Sequence, residues 1–197
     1  SAASDVYKRQ AYSRAGVAAF TTSTGYGIAK YDNPEELSVS DRNNIGYQYT
    51  DCPLYWISVI YLNFAEAKAE MGSLTQDDLN NSINKLQARA GLPAMTTTPD
   101  ADPANNMGVS NLIWEIRRCR RCELIMDNWY RYWDLIRWHQ LDKLDSTKYP
   151  NTMLGANVSN VPDCEEATKN GYIDASDAQI RTYEAKHYFY PIPTTQS

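Results

Sequence analysis

The chain has 197 residues, 43% of them hydrophobic, enough for a substantial buried core. Its formal charge of −5 argues against a surface built to hold nucleic acid. The longest apolar stretch, residues 54–65, is interrupted by Ser58 and Asn63 and falls short of the roughly 20 residues a membrane-spanning helix needs.

Residues 1–10, SAASDVYKRQ, read as a non-native leader, which leaves 11–197 as the expected portion of one domain. From 11 to 44 the composition is Thr, Ser, Gly, Asn and Asp, so irregular structure is expected, with one or two strands around residues 25–31. A first helix is predicted from Pro53 to Met71. Proline suits the first turn, where its missing N–H has no intrahelical partner anyway, and Gly72 is placed for a left-handed cap. Leu54, Ile57, Tyr61, Phe64 and Ala65 are its predicted buried face.

Thr75 and Asp78 have the spacing of a capping box and open a predicted second helix over 76–90. Its stripe is Leu79, Ile83, Leu86 and Ala90, and Gly91 ends it. Two helices joined by about four residues form an antiparallel hairpin, the geometry of a tetratricopeptide-like pair. No repeat period runs through the chain. After a Pro, Thr, Asp and Asn loop over 95–108, a third helix is predicted over 110–126 and a fourth over 129–145, broken at Asp127-Asn128. Residues 146–186 are polar with little periodicity. Residues 188–193 must be extended, because two prolines one residue apart exclude a helix, and their rings are expected to dock across the helices.

The fourth helix opens on NWYRYWDLIRW, residues 128–138. Trp129, Tyr132, Trp133 and Ile136 fall at i, i+3, i+4, i+7 and are predicted to form one buried apolar face, widened by Leu135, Trp138 and Leu141. Asp134 sits three residues from both Arg131 and Arg137, a spacing that suits ion pairs along a helix.

Reactive chemistry finds little support. Cys119-Arg120-Arg121-Cys122 is a C-x-x-C, but it falls in mid-helix, whereas a redox pair needs its sulfurs at a helix N-terminus that lowers the thiol pKa. Packing is the plainer reading and a redox pair the sharper one. As a zinc half-site it needs two more ligands, and Cys52, Cys164, His139 and His187 are all isolated, so no metal or cofactor is expected. The basic run 117–121 points in several directions around a helix and makes no single basic face, which favours a structural ion-pair network. Glu165-Glu166 and Asp77-Asp78 do not form a glycosidase pair across a cleft, and no phosphate loop or nucleophile turn is present.

Residues 119–138, CRRCELIMDNWYRYWDLIRW, together resemble the C-terminal signature of the SusD/RagB family, E-R-R-x-E-L followed by R-[YW]-[WF]-D-L-x-R-W. Three further segments match in order. Gly25-Tyr26 with Lys30-Tyr31 resembles the family's GYxxxKY element, and PLYWISVIYLNFAEAKA at 53–69 resembles its P-[IL]-[IL]-R-Y-A-E-V-L-L-x-Y-A-E-A helix. YFYPIP at 188–193 is similar to YLYPIP. The chain departs from the pattern at Trp56 (usually Arg), Val59 (usually Glu) and Cys119 (usually Glu), and it carries one extra residue between Met126 and Arg131.

The resemblance implies a mostly α fold: a SusD-like helical domain with a tetratricopeptide-like helix pair and long irregular loops. It also implies a non-catalytic, lipid-anchored outer-membrane protein of the Bacteroidetes cell surface, used in polysaccharide utilization. Such a protein captures an oligosaccharide or polysaccharide and passes it to a SusC-like TonB-dependent transporter, with no nucleic acid involved. No signal peptide or lipid-attachment Cys heads this chain, so a C-terminal portion of a longer protein is expected. Sugars present apolar C–H faces and polar edges, so flat exposed rings beside polar side chains would bind them. Trp129, Tyr130 and Trp56 are the candidates, against the competing reading that all three are core. Fifteen Tyr against three Phe suits half-buried and sugar-facing positions alike. A helical-hairpin scaffold that binds a protein or peptide is the alternative function.

Overall fold

The computed structural model describes residues 24–26, 54–160, 168–176 and 179–189. The predicted leader, most of the expected strand region near residue 25, Cys52, Cys164 and residues 190–193 lie outside them. Helix dominates, with short strands. The chain divides into two compact units, one formed by Ser1–Val6 and Ile28–Tyr130, the other by Tyr7–Gly27 and Arg131–Ser197.

The first unit contains α1 (Ile57–Glu70), α2 (Gln76–Asn80), α3 (Ile83–Arg89) and α4 (Asn111–Glu123). Its core joins Leu62 and Ala65 of α1, Leu79 of α2, Ile83 and Leu86 of α3, and Ile116 of α4, closed by Met95 and Leu124. Gly72 and Gly91 take left-handed conformations (φ 67° and 68°). Each closes its helix with the paired main-chain bonds of a Schellman motif, Ser73 N–H to Lys68 O and Leu92 N–H to Gln87 O, both 2.9 Å. The Thr75 hydroxyl accepts from Asp78 N–H at 3.2 Å, while Asp78 accepts in return from Thr75 N–H at 2.9 Å and from Lys68 at 2.7 Å. These donors hold the Asp78 carboxyl at a pKa of about 2, with the Lys68 ammonium the largest cause.

The second predicted helix is two. It breaks at Asn81-Ser82, where Ser82 leaves helical geometry (φ −130°, ψ −98°) and its hydroxyl donates back to Asp78 O at 2.6 Å. Leu79, Ile83 and Leu86 are buried as predicted. The buried Asn84 uses both ends of its amide on the main chain of Met95, donating at 3.1 Å and accepting at 2.7 Å, and so draws that residue back into the core.

The first predicted helix starts later and its inward face is rotated, though Tyr61 still packs on the core. Trp56, in extended geometry, occupies the N-cap, so Pro53 and Leu54 precede the helix. Ala65 is buried as predicted, but Leu54, Ile57 and Phe64 are exposed, and the inward residues are Ser58, Leu62, Ala65 and Glu66. Apolar residues nearly encircle α1, which leaves periodicity unable to choose a face. The ion pairs choose it. Arg117 of α4 donates to Glu66 and Glu70 of α1, both at 3.2 Å, and Arg120 donates to Asn63 at 2.7 Å. Arg118 pairs with Glu115 at 2.7 Å and Arg89 grips Glu123 with two bonds of 2.7 and 2.8 Å. The basic run is thus distributed into structural pairs.

In the second unit, α5 (Tyr130–Arg137, its first residue shared with the first unit) replaces the longer helix predicted over 129–145. It stops because His139 adopts φ 53°, with His139 N–H bonded to Ile136 O (3.0 Å) and Gln140 N–H to Leu135 O (2.8 Å), a Schellman closure without glycine. The chain resumes as a 3-10 turn, Leu141–Leu144. Leu135, Trp138 and Leu141 are buried as predicted, with Asp134 beside them, and Tyr132 and Ile136 are half-buried, whereas Trp129 and Trp133 of the predicted face are exposed.

A small antiparallel sheet follows, ordered β1 (Leu154–Asn157), β3 (Tyr172–Asp174), β2 (Thr168–Lys169). Asn170 and Gly171, both at positive φ (54° and 80°), make the tight turn between β2 and β3, the signature of a two-residue hairpin. Gly155 of β1 lies against the Thr24 carbonyl, where a Cβ would clash with main chain, and Ala156 N–H donates to that carbonyl at 2.8 Å. Of the closing segment, Tyr188 ends a 3-10 turn (Ala185–Tyr188) and its ring docks on His139 with centroids 5.1 Å apart, while Phe189 is extended and exposed.

Candidate functional site

After α4, the chain makes a turn that few residues tolerate. Met126, Asn128 and Trp129 all have positive φ (62°, 35° and 58°) and none is glycine. Left-handed geometry costs an ordinary L-residue about 1–2 kcal/mol, somewhat less for Asn, so the turn stores a few kcal/mol that neighbouring contacts must offset. Those contacts are specific. Leu124, the helix C-cap, is buried in the core; Asp127 between the left-handed residues is buried too. Asp127 N–H reaches Leu124 O at 3.3 Å, and Asp127 O accepts from Tyr130 N–H at 2.9 Å as α5 begins. The Asn128 amide donates to Leu54 O at 3.2 Å, tying the turn to the segment ahead of α1.

The result is a tryptophan held outward. Trp129 is 81% exposed, on a short turn fixed at both ends. Tyr130 differs: it is half-buried against the core, and the Arg120 guanidinium sits 5.9 Å from its ring centroid. Trp56 is half-buried at the N-cap of α1. The sequence candidates therefore separate into one exposed ring and two that are partly structural. The bond from Asn128 to Leu54 brings the surroundings of Trp129 and Trp56 together along the chain. It also brings in Tyr55, 88% exposed, which sequence reasoning missed by counting it inside a helix begun at Pro53. No residue type marked the later start, since the N-cap Trp56 makes no side-chain cap bond.

The C-x-x-C does not form a reactive pair. Both sulfurs are free and partly buried, and burial pushes the Cys119 thiol up to about 12, where it stays protonated and unreactive at neutral pH. Among the described residues no cluster of His, Cys, Asp and Glu is arranged to hold a metal ion. No helix among them is long and apolar enough to cross a membrane.

A strained turn offering an exposed tryptophan beside an amide is equipped to bind by stacking and hydrogen bonding. The comparison with known families agrees. The model for the SusD family matches residues 3–197, and the chain belongs to that family. It is a non-catalytic binding family, known for glycan binding in nutrient uptake and typically associated with the outer membrane. No curated protein and no solved structure matches the chain.

Proposed function

We propose that this chain is the C-terminal portion of a cell-surface glycan-binding protein, lipid-anchored in its full-length form, that has no catalytic activity. It captures an oligosaccharide or polysaccharide and hands it to a SusC-like TonB-dependent outer-membrane transporter. The single observation that carries the binding role is Trp129, held outward on a strained turn beside Asn128 and near Tyr55. A ring displayed at that conformational cost is better explained by a ligand than by stability, since its own burial contributes little. Stacking on the apolar face of a sugar, with the Asn128 side chain close by, is the interaction that follows.

The test is the Trp129→Ala protein, titrated with whichever oligosaccharide the unaltered protein retains on a glycan array. Affinity is expected to fall about tenfold or more, roughly 1.4 kcal/mol or above, with no change in melting temperature. Undiminished affinity would place the sugar elsewhere.

A second reading, a scaffold for a protein partner, is favoured by one feature. Ile57, Ile60, Phe64, Ala67 and Met71 follow a 3-4 spacing on α1, and every one of them is exposed. The flanking Lys68 and Glu70 are engaged by Asp78 and Arg117, so the row is apolar without free charge beside it. That suits the apolar face of a partner helix. Phe64→Asp would abolish such an association while sparing glycan binding through Trp129.

A further inference from the structure

The second unit contains a groove of about 370 Å³. Its lining includes Tyr132 and Ile136 of α5, Leu141 of the turn that follows, and Arg181, Tyr183 and Tyr188 of the closing segment. Its size falls in the range of small-molecule sites, and it has their usual make-up, an apolar lining with a few polar groups.

The walls are fixed. Asp145 accepts from Tyr183 N–H at 3.1 Å, and Ser146 exchanges main-chain and hydroxyl bonds with Arg181 (2.9 Å for each main-chain N–H). The Tyr188 hydroxyl accepts from Leu141 N–H at 3.2 Å, and its ring meets that of Tyr183 edge-on at 5.8 Å. Aromatic rings at this spacing leave flat faces for another ring to lie against. The segment that carries Arg181 is therefore pinned through its backbone, while its side chain is not used in the pinning.

Charge gives the groove a sign. Among the described residues the Arg181 guanidinium has no acceptor or carboxylate partner, and it lines the groove. Of the carboxylates nearby in sequence, Glu184 is paired with Lys186 at 3.0 Å and Asp145 is held by Thr147 and main-chain N–H groups. Neither they nor Asp142 appears in the lining. A free, planar, permanently charged fork beside apolar rings suits a carboxylate, which it can hold with two parallel hydrogen bonds.

We propose that this groove is a second ligand site, separate from Trp129, that takes a six-membered sugar ring bearing a carboxylate: a uronic-acid unit. The ring lies between Tyr132 and Tyr183, and its carboxylate meets Arg181. The choice of a sugar among ring acids rests on the glycan-binding reading above; the groove and its cation do not.

The experiment is a titration of the full chain with glucuronic acid, glucose and benzoate, repeated with Arg181→Ala and with Trp129→Ala. Glucuronate is expected to bind at least tenfold more tightly than glucose, Arg181→Ala to erase that preference, and Trp129→Ala to leave it intact. Circular dichroism of Arg181→Ala should match the unaltered chain, since the side chain is exposed. Equal binding of glucuronate and glucose overturns the proposal, as does a preference that survives Arg181→Ala. A preference lost with Trp129→Ala overturns it too, by moving the acid site to the other unit. Benzoate bound more tightly than glucuronate overturns the assignment to a sugar. Failure of the glycan reading itself reads out differently, as loss of every neutral oligosaccharide with the Arg181-dependent acid binding retained.

Discussion

Trp129, Trp133 and Trp138 share one short stretch of chain but occupy three environments, 81%, 49% and 8% exposed. Their energetic roles should diverge accordingly. Trp138 is packed in the second unit with Arg137 stacked 4.8 Å from its ring centroid, so Trp138→Ala is expected to cost about 3–5 kcal/mol through lost burial and the cavity left behind. Trp133 keeps an edge-on contact with Tyr132 at 5.7 Å but has half its surface in water, so Trp133→Ala should cost about 1 kcal/mol. Urea denaturation of the two variants measures the difference, and equal losses would contradict this assignment of faces. The sequence offered all three rings at helical spacing. Which one is inside depended on the left-handed residues Trp129 and His139, and nothing in their identity announces positive φ.

At the level of elements, α1 and α4 are joined as much by charge as by oil. Glu66 and Arg117 are nearly buried, with side chains 4% and 10% exposed, and Arg117 also donates to the more exposed Glu70. Glu66→Ala is expected to destabilise by about 3 kcal/mol, the low end for a broken buried pair, because the guanidinium is then left with the more exposed Glu70 carboxylate. Glu115→Ala, at the pair with the half-exposed Arg118, should cost less than about 1 kcal/mol. Differential scanning calorimetry of the two proteins separates these outcomes; similar losses would mean the buried pair contributes no more than a surface one. Some caps were legible from their chemistry: the Thr75 box, Gly72 and Gly91 are where the residues place them. The break at Asn81-Ser82 and the small sheet were not. An apolar stripe runs through the former uninterrupted, and the strands of the latter are too short for alternation to register, although Asn170-Gly171 marks their hairpin.

For the molecule as a whole, acid is the condition that tests both units at once. Asp78 in the first and Asp145 in the second are each held at a pKa of about 2, the former chiefly by the Lys68 ammonium, the latter chiefly by the Thr147 hydroxyl and Tyr183 N–H. A carboxyl depressed in the folded state binds fewer protons there than when unfolded. Its contribution is therefore complete above the unfolded value near pH 4 and is lost as pH falls toward about 2. Unfolding free energy measured across that window should drop with acid, and Asp78→Asn or Asp145→Asn should each flatten the slope. A slope unchanged in both variants would show that other carboxyls dominate.

Sequence by itself determined the family, the helical character and the caps at Gly72, Thr75 and Gly91, because signatures and caps are local patterns readable over a few residues. It favoured packing for Cys119 and Cys122, since reactivity would have required a helix N-terminus, and the burial of Cys119 then fits that reading. Tertiary structure decided which side of α1 and α5 faces inward and which aromatic ring stands in water. Where apolar residues surround a helix, local periodicity is degenerate, and only partners distant in sequence, such as Arg117 for Glu66 or Leu54 for Asn128, can break the tie.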